Sequence, residues 1–185
     1  MEIIKGKRVY LRPLAKKDAK ALAKLANDRS ISRWTMVPRP YGLKDALDFI
    51  KKTQKKIRKK EAFELGMFLK KTNEFMGMCS IININKKNKA AEIGYWIGKP
   101  FRNKGYTTEA AKLMIDYGFK KLRLYRIQTS HAAGNKASGR VINKLGFKFE
   151  GLLRKHVVSG LGKRLDSVTY SILKPEYPKL KKKWH

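Results

Sequence analysis

Acid is scarce in this chain. Its 185 residues hold 14 aspartates and glutamates against 45 lysines and arginines, a formal net charge of +31. Such a surface repels free polycations, polyamines and aminoglycosides among them, unless a cleft is locally acidic. Cysteine is nearly missing too: Cys79 is alone, so no disulfide can form within the chain. It lies in the apolar run 76–82, which predicts a buried strand cysteine rather than a reactive thiol. The three histidines, His131, His156 and His185, are far apart, and one cysteine completes no zinc-ligand spacing, so no metal site is expected. Long hydrophobic runs are absent. No window reaches the ~18 apolar residues of a membrane span, and the opening MEIIKGKRVY lacks the apolar core of a signal peptide. Cytoplasmic residence and no membrane partner are the expectations.

What is present is a globular composition, 42% hydrophobic and 10% aromatic. At roughly 150 residues per domain, the length predicts a single domain over residues 1–177, followed by a loose basic tail at 178–185. The positive charge attracts polyanions in a salt-dependent way, which raises proximity to RNA or the ribosome as a possibility. A lysine-rich surface can equally reflect proteome-wide lysine usage.

Along the chain, a short strand at 8–11 is closed by Pro13, and apolar residues at helical spacing predict a helix over 16–27. Residues 28–41, with Trp34, Pro38 and Pro40, read as a loop or broken helix of the kind that lines sites. A second helix is expected over 43–60. Its Lys51, Lys52, Lys55, Lys56, Arg58, Lys59 and Lys60 form either a solvated face or an RNA-facing one. Strands at 62–69, 75–84 and 91–98, joined by short turns, imply an antiparallel meander. Helix 107–121, strand 125–131, helix 135–145 and strands 147–158 and 164–173 complete one mixed α/β domain.

The most informative segment is 92–111, where a strand enters a short loop that opens directly into a helix. A helix start presents unpaired N–H donors and the positive end of the dipole, which suit a phosphate or pyrophosphate. Gly105 allows close backbone approach, and Arg102 and Lys104 add charge to the rim. Neither the nucleoside-triphosphate loop nor the dinucleotide glycine pattern is present.

Some thirty residues on stand Arg126-Ile127-Gln128-Thr129-Ser130-His131, then Asn135-Lys136-Ala137-Ser138 and Lys144-Leu145-Gly146-Phe147 with Glu150-Gly151. In that order and spacing these segments resemble the Gcn5-related N-acetyltransferase (GNAT) superfamily. Within it, the opening Arg8-Val9-Tyr10-Leu11-Arg12-Pro13-Leu14, Gly94-Tyr95-Trp96-Ile97 and Asp166-Ser167-Val168-Thr169-Tyr170-Ser171 resemble the RimJ/RimL type of ribosomal-protein N-terminal acetyltransferase. The resemblance spans about residues 7 to 175. It implies a central, mostly antiparallel twisted sheet with splayed parallel central strands and helices on both faces.

The resemblance also implies acetyl-CoA as donor and no metal. Its pantetheine arm would enter between strands 92–98 and 125–131, with backbone amides of Tyr95, Trp96 and Ile97 on the thioester carbonyl. The pyrophosphate loop maps onto Arg102, Asn103, Lys104, Gly105, Tyr106 and Thr107, where Thr107 replaces the family's usual glycine or alanine. Asn135 would bind the pantetheine or thioester region, or cap a helix, and Lys144 would contact phosphate or be solvated. Ser138 is the candidate to protonate the leaving thiolate. Glu92 and His156 are equal candidates for the general base. Several members of this branch carry a glutamate near the position of His156 or Val157; this chain has none there.

An α-amine, with an ordinary pKa of about 7.7 to 8.0, needs less help than a lysine amine near 10.4. The resemblance to ribosomal-protein N-terminal acetyltransferases implies as acceptor the N-terminal α-amine of a protein, a ribosomal one in keeping with the charge, attacked directly in a ternary complex. The alternatives are a small-molecule amine acetyltransferase, for which Asp45, Asp48, Glu61 and Glu64 could supply a local acidic patch, and a non-catalytic module bound to RNA or the ribosome. The chain is expected to be a monomer or a homodimer.

Overall fold

The computed structural model describes residues 3–184. Strands β1 (Ile4–Lys5) and β2 (Val9–Arg12) lead through a short 3-10 turn, Lys16–Asp18, into α1 (Ala19–Ala26), α2 (Arg29–Ser32) and α3 (Leu43–Arg58). The meander follows as β3 (Phe63–Leu69), β4 (Phe75–Asn85) and β5 (Ala90–Ile97). Then come α4 (Tyr106–Lys120), β6 (Arg126–Ala132), α5 (Lys136–Leu145), β7 (Lys148–Val158), β8 (Arg164–Leu173) and α6 (Tyr177–Trp184). One eight-stranded sheet runs in the order β1-β2-β3-β4-β5-β6-β8-β7, antiparallel throughout except where β5 pairs β6 in parallel.

Period-2 alternation divides the sheet's side chains between two cores. Leu65 and Met67 of β3, Ile81 of β4 and Ile93 of β5 meet Ala110, Ala111, Met114 and Ile115 of α4 on one face. These helix positions, one and four apart, form a single apolar stripe. Phe68 and Met78 face the other way, against Leu22 of α1 and Ala46 and Ile50 of α3. Asp45 accepts the Gly42 backbone N–H at 2.8 Å and so fixes the start of α3. Cys79 is buried in the α4-side core, and burial pushes its thiol pKa up.

Two elements depart from the sequence expectation. The short β1 adds an edge strand beyond the one expected at 8–11. More consequentially, the segment expected as a loose tail is helical over Tyr177–Trp184, and His185 lies outside the described residues. Tyr177 is buried, its ring 4.8 Å from that of Phe119, and its hydroxyl donates to Asp116 of α4. Lys181 Nζ reaches the same carboxylate at 2.5 Å, and Leu180 and Trp184 pack on the main core.

Candidate active site

The parallel pair β5–β6 is joined over only three rungs, Ala90↔Arg126, Ala91↔Ile127 and Glu92↔Gln128. A side-chain bond, Thr129 Oγ1 to the Ile93 carbonyl at 2.9 Å, marks the last link, and beyond it the strands part. The edge of β5 facing β6 over residues 95–97 thus lacks a neighbouring strand; the Ile97 carbonyl there is met by Arg102 Nε, and Tyr95 has no strand partner on that side. A cleft of about 350 Å³ occupies this opening.

One wall of the cleft is the entry to α4. Past β5, Pro100 sits in a short 3-10 turn, Lys99–Phe101, and the chain reaches Gly105, whose φ of 78° puts it in the left-handed region. A Cβ at Gly105 would also come within 3.2 Å of the Arg8 guanidinium. Gly105 is the N-cap of α4, so the first N–H groups of the helix, at Tyr106, Thr107 and Thr108, have no carbonyl within it to meet and border the cleft. Together with the positive end of a 15-residue helix they form a binding surface for phosphate.

The opposite wall is the first turn of α5. Asn135 Oδ1 accepts the Ser138 backbone N–H at 3.2 Å and caps that helix, and the Ser138 hydroxyl lies 3.2 Å from the Tyr95 hydroxyl. Burial pushes the Tyr95 phenol well above its ordinary pKa, more than the Ser138 hydrogen bond lowers it, so it stays protonated at neutral pH and able to donate. Lys144 and Arg140 border the same side.

Most sequence-selected residues are therefore brought together: Tyr95, Trp96, Ile97, Arg102, Asn103, Gly105, Tyr106, Thr107, Asn135, Ser138 and Lys144 all line the cleft. Arg102 does so with its guanidinium folded back, donating to the Ile97 carbonyl at 3.2 Å and to Ser30 Oγ at 2.8 Å, with Asp28 at 3.8 Å. Lys104 is outside the lining, its ammonium 3.1 Å from the Pro100 carbonyl. Glu92 is outside it too, at the closed end of the splay, accepting from Asn83 Nδ2 at 3.2 Å. It shares a strand face with Gly94, beside which a Cβ would meet nothing within 4 Å. His156 is exposed on β7, the far edge of the sheet, and does not line this cleft.

Sequence reasoning did not single out Ser30, Ile31 and Thr35, which with Trp34 close the cleft from the side of α2. Trp34 also borders a second cleft of about 480 Å³, lined by Arg29, Arg33, Ser159, Leu161, Lys163 and Leu165. None of the described residues lining either cleft is acidic. Asp45 instead caps α3, Glu64 pairs with Lys56 and Glu61 with Lys59, and Asp48 also lies outside both linings. No cluster of three or more His, Cys, Asp or Glu suited to a metal occurs among the described residues, and no described helix is long and apolar enough to cross a membrane.

The family profile of the GNAT acetyltransferase domain matches residues 8–148. The chain belongs to the GNAT acetyltransferases. The N-acetyltransferase p20 of Bacillus licheniformis is 32% identical over 177 residues, covering 96% of this chain and 99% of that protein. YdaF of Bacillus subtilis, whose name assigns it provisionally to ribosomal N-acetylation, is 32% identical over 93% of this chain and 94% of its own. The spermidine N(1)-acetyltransferase of Escherichia coli is 31% identical over 82% of this chain and 80% of its own. Among solved structures, a probable acetyltransferase superposes with a TM-score of 0.86 at 31% identity, covering 95% of this chain and 98% of that one. A RimL ribosomal α-N-protein acetyltransferase solved with coenzyme A shares the fold, with a TM-score of 0.85 at 21% identity over 93% of this chain and 98% of that one. This GNAT protein is an N-acetyltransferase, and enzymes of the family use acetyl-CoA as donor.

Proposed function

We propose that this enzyme transfers acetyl from acetyl-CoA directly to the N-terminal α-amine of a protein, a ribosomal protein being the class that the name of YdaF points to. The proposed setting is the cytoplasm. The observation that carries the reading is the open edge of β5 at Tyr95–Ile97, set between the bare N–H groups of α4 and the Tyr95–Ser138 hydroxyl pair.

In this reading the α4 N–H groups and the Gly105 backbone hold the pyrophosphate, and β5 amides hold the thioester carbonyl as it becomes an oxyanion. The neutral amine attacks the carbonyl carbon, the C–N bond forms, and collapse of the adduct breaks the C–S bond. The amine's surplus proton leaves toward Glu92 through solvent at the open space beside Gly94. Ser138, held by Asn135 and backed by the Tyr95 hydroxyl, gives a proton to the departing thiolate. Arg102 acts chiefly by tying the loop to α2 through Ser30.

The competing small-amine reading is supported by the spermidine-specific relative. Against it stands the chemistry of the lining: a trication needs carboxylates, and neither cleft has one among the described residues. The deciding experiment incubates the protein with acetyl-CoA and either Ser- or Ala-initiated peptides or spermidine and reads thiol release. Faster turnover of the peptides is expected; turnover of spermidine alone would overturn the assignment.

A further inference from the structure

The second cleft is the least explained feature of the molecule, and its chemistry is specific. Arg29 and Arg33 lie four positions apart at α2 and so project to the same side. Lys163 faces them from the β7–β8 turn, and Trp34, Leu161 and Leu165, all half-buried, supply an apolar floor. The two sides are locked together. Gly160 N donates to the Thr35 carbonyl at 2.7 Å, and a Cβ at Gly160 would overlap the Val37 carbonyl oxygen, so turn and segment meet backbone to backbone.

Its three cations, like Arg140 and Lys144 of the first cleft, have no carboxylate partner among the described residues, whereas four other arginines do. Arg8 is paired with Glu109, Arg12 with Asp18, Arg102 with Asp28 and Arg126 with Glu150. Arg29, Arg33 and Lys163 form no ion pair with any described residue; Arg33 lies over the Trp34 ring at 4.6 Å. Three unneutralised cations around an apolar floor suit a segment that brings carboxylates and an apolar side chain. Because Trp34 borders both clefts, a chain whose amine enters the first would pass its following residues into the second.

Resting on the acceptor reading above, we infer that the Arg29–Arg33–Lys163 cleft receives the residues just after the acceptor amine and selects an acidic N-terminal segment. The charge complementarity acts on encounter and binding, so it appears in kcat/KM chiefly through KM.

The test compares three peptides with the same first two residues, followed by a pair of Glu, Gln or Lys, as acceptors for the full-length protein at fixed ionic strength. Two variants accompany it: the triple Arg29→Gln, Arg33→Gln, Lys163→Gln, and a control on the remote face of α3, Lys51→Gln, Lys52→Gln, Lys55→Gln, which removes the same charge. For the native protein the Glu peptide is expected to exceed the Gln peptide by roughly tenfold in kcat/KM, from exposed pairs each contributing modestly. That ratio should fall to about twofold or less in the cleft variant and persist in the control, with circular dichroism and acetyl-CoA affinity verifying that both variants fold. Equal use of the three peptides by the native protein would overturn the inference while leaving N-terminal acetylation intact. Equal loss of preference in both variants would overturn it in favour of bulk charge. If spermidine alone is acetylated, this inference and the acceptor reading fall together.

Discussion

Arg8 and Glu109, 101 positions apart, meet at 3.0 Å across the entrance to α4. The carboxylate also accepts the backbone N–H groups of Arg8 and Val9, at 2.7 and 3.2 Å, while Arg8 Nη1 donates to the Lys104 carbonyl at 3.0 Å. The first long strand is thereby tied to the loop before Gly105. Desolvation works to raise the Glu109 pKa, but the hydrogen bonds from Arg8 and Val9 and the Arg8 charge outweigh it, and the net direction is down. Replacing Glu109 with Ala leaves two backbone N–H groups short of an acceptor, at about 1–3 kcal/mol if they stay dry. We expect a lower melting temperature and weaker acetyl-CoA binding by calorimetry, with the rate at saturating donor changed far less. Unchanged affinity would show that the tie does not shape the loop.

Ser138→Ala should lower kcat by roughly a hundredfold if the hydroxyl protonates the thiolate, while acetyl-CoA affinity moves little. Tyr95→Phe should lower kcat by a smaller factor, because it removes the group behind Ser138 rather than the donor itself. A Ser138→Ala enzyme with native turnover would leave that hydroxyl with only a place in the first turn of α5.

The C-terminal helix offers a structural test remote from the clefts. Asp116 receives Tyr177, Lys181 and, at 3.4 Å, Lys120. Asp116→Ala leaves Tyr177 and Lys181 without their shared acceptor, and Leu180→Ala opens space beside Gly146. Each should cost about 1–3 kcal/mol in urea titrations. Proteolysis between residues 174 and 184 should accelerate in both variants, whereas a tail without packing would be cut equally fast in the native protein.

Acid should loosen the far side of the sheet. Arg126 grips Glu150 with two bonds of 2.6 and 2.5 Å, and Ser171 Oγ adds a third at 2.7 Å, a set that joins β6, β7 and β8. The Arg126 hydrogen bonds bring the Glu150 pKa down to about 2, against a partial opposing effect of desolvation. A carboxylate with a depressed native pKa stabilises the fold fully above its unfolded value near 4.3 and loses that contribution as pH falls toward 2. Glu150→Gln should therefore flatten the stability-against-pH curve in that window; an unchanged slope would show that other carboxylates govern it.

Hydrophobic spacing made most elements legible: the stripe at Ala110, Ala111, Met114 and Ile115 and the alternation through β3 and β5 are periodic signals that tertiary packing reinforces. The loop around Gly105 was legible because a glycine beside a helix start has few alternative uses. Helix α6 was not, since Leu180 and Trp184 are too few apolar positions among lysines to form a visible stripe, and its partner Asp116 is 61 residues from Tyr177. Nor could the chain alone announce the direction of the Arg102 side chain, which is set by Ser30, 72 residues away. The acid-free second cleft combines residues from α2 and the β7–β8 turn, whose meeting depends on the whole sheet being built.

The three rungs between β5 and β6 have a mechanical consequence. To one side of that seam lie β1 to β5, to the other β6, β8 and β7, so the sheet is two plates joined by a short hinge and spanned by helices. A molecule seated between the plates would bridge them, and its grip on both would be lost together when they separate. A ligand that bound the folded protein in this position would add its binding free energy to cohesion across the seam, about 2.7 kcal/mol at a hundredfold excess over Kd; without it the plates stay joined by the three rungs, the Thr129–Ile93 bond and the core that α4 and Ile127 share.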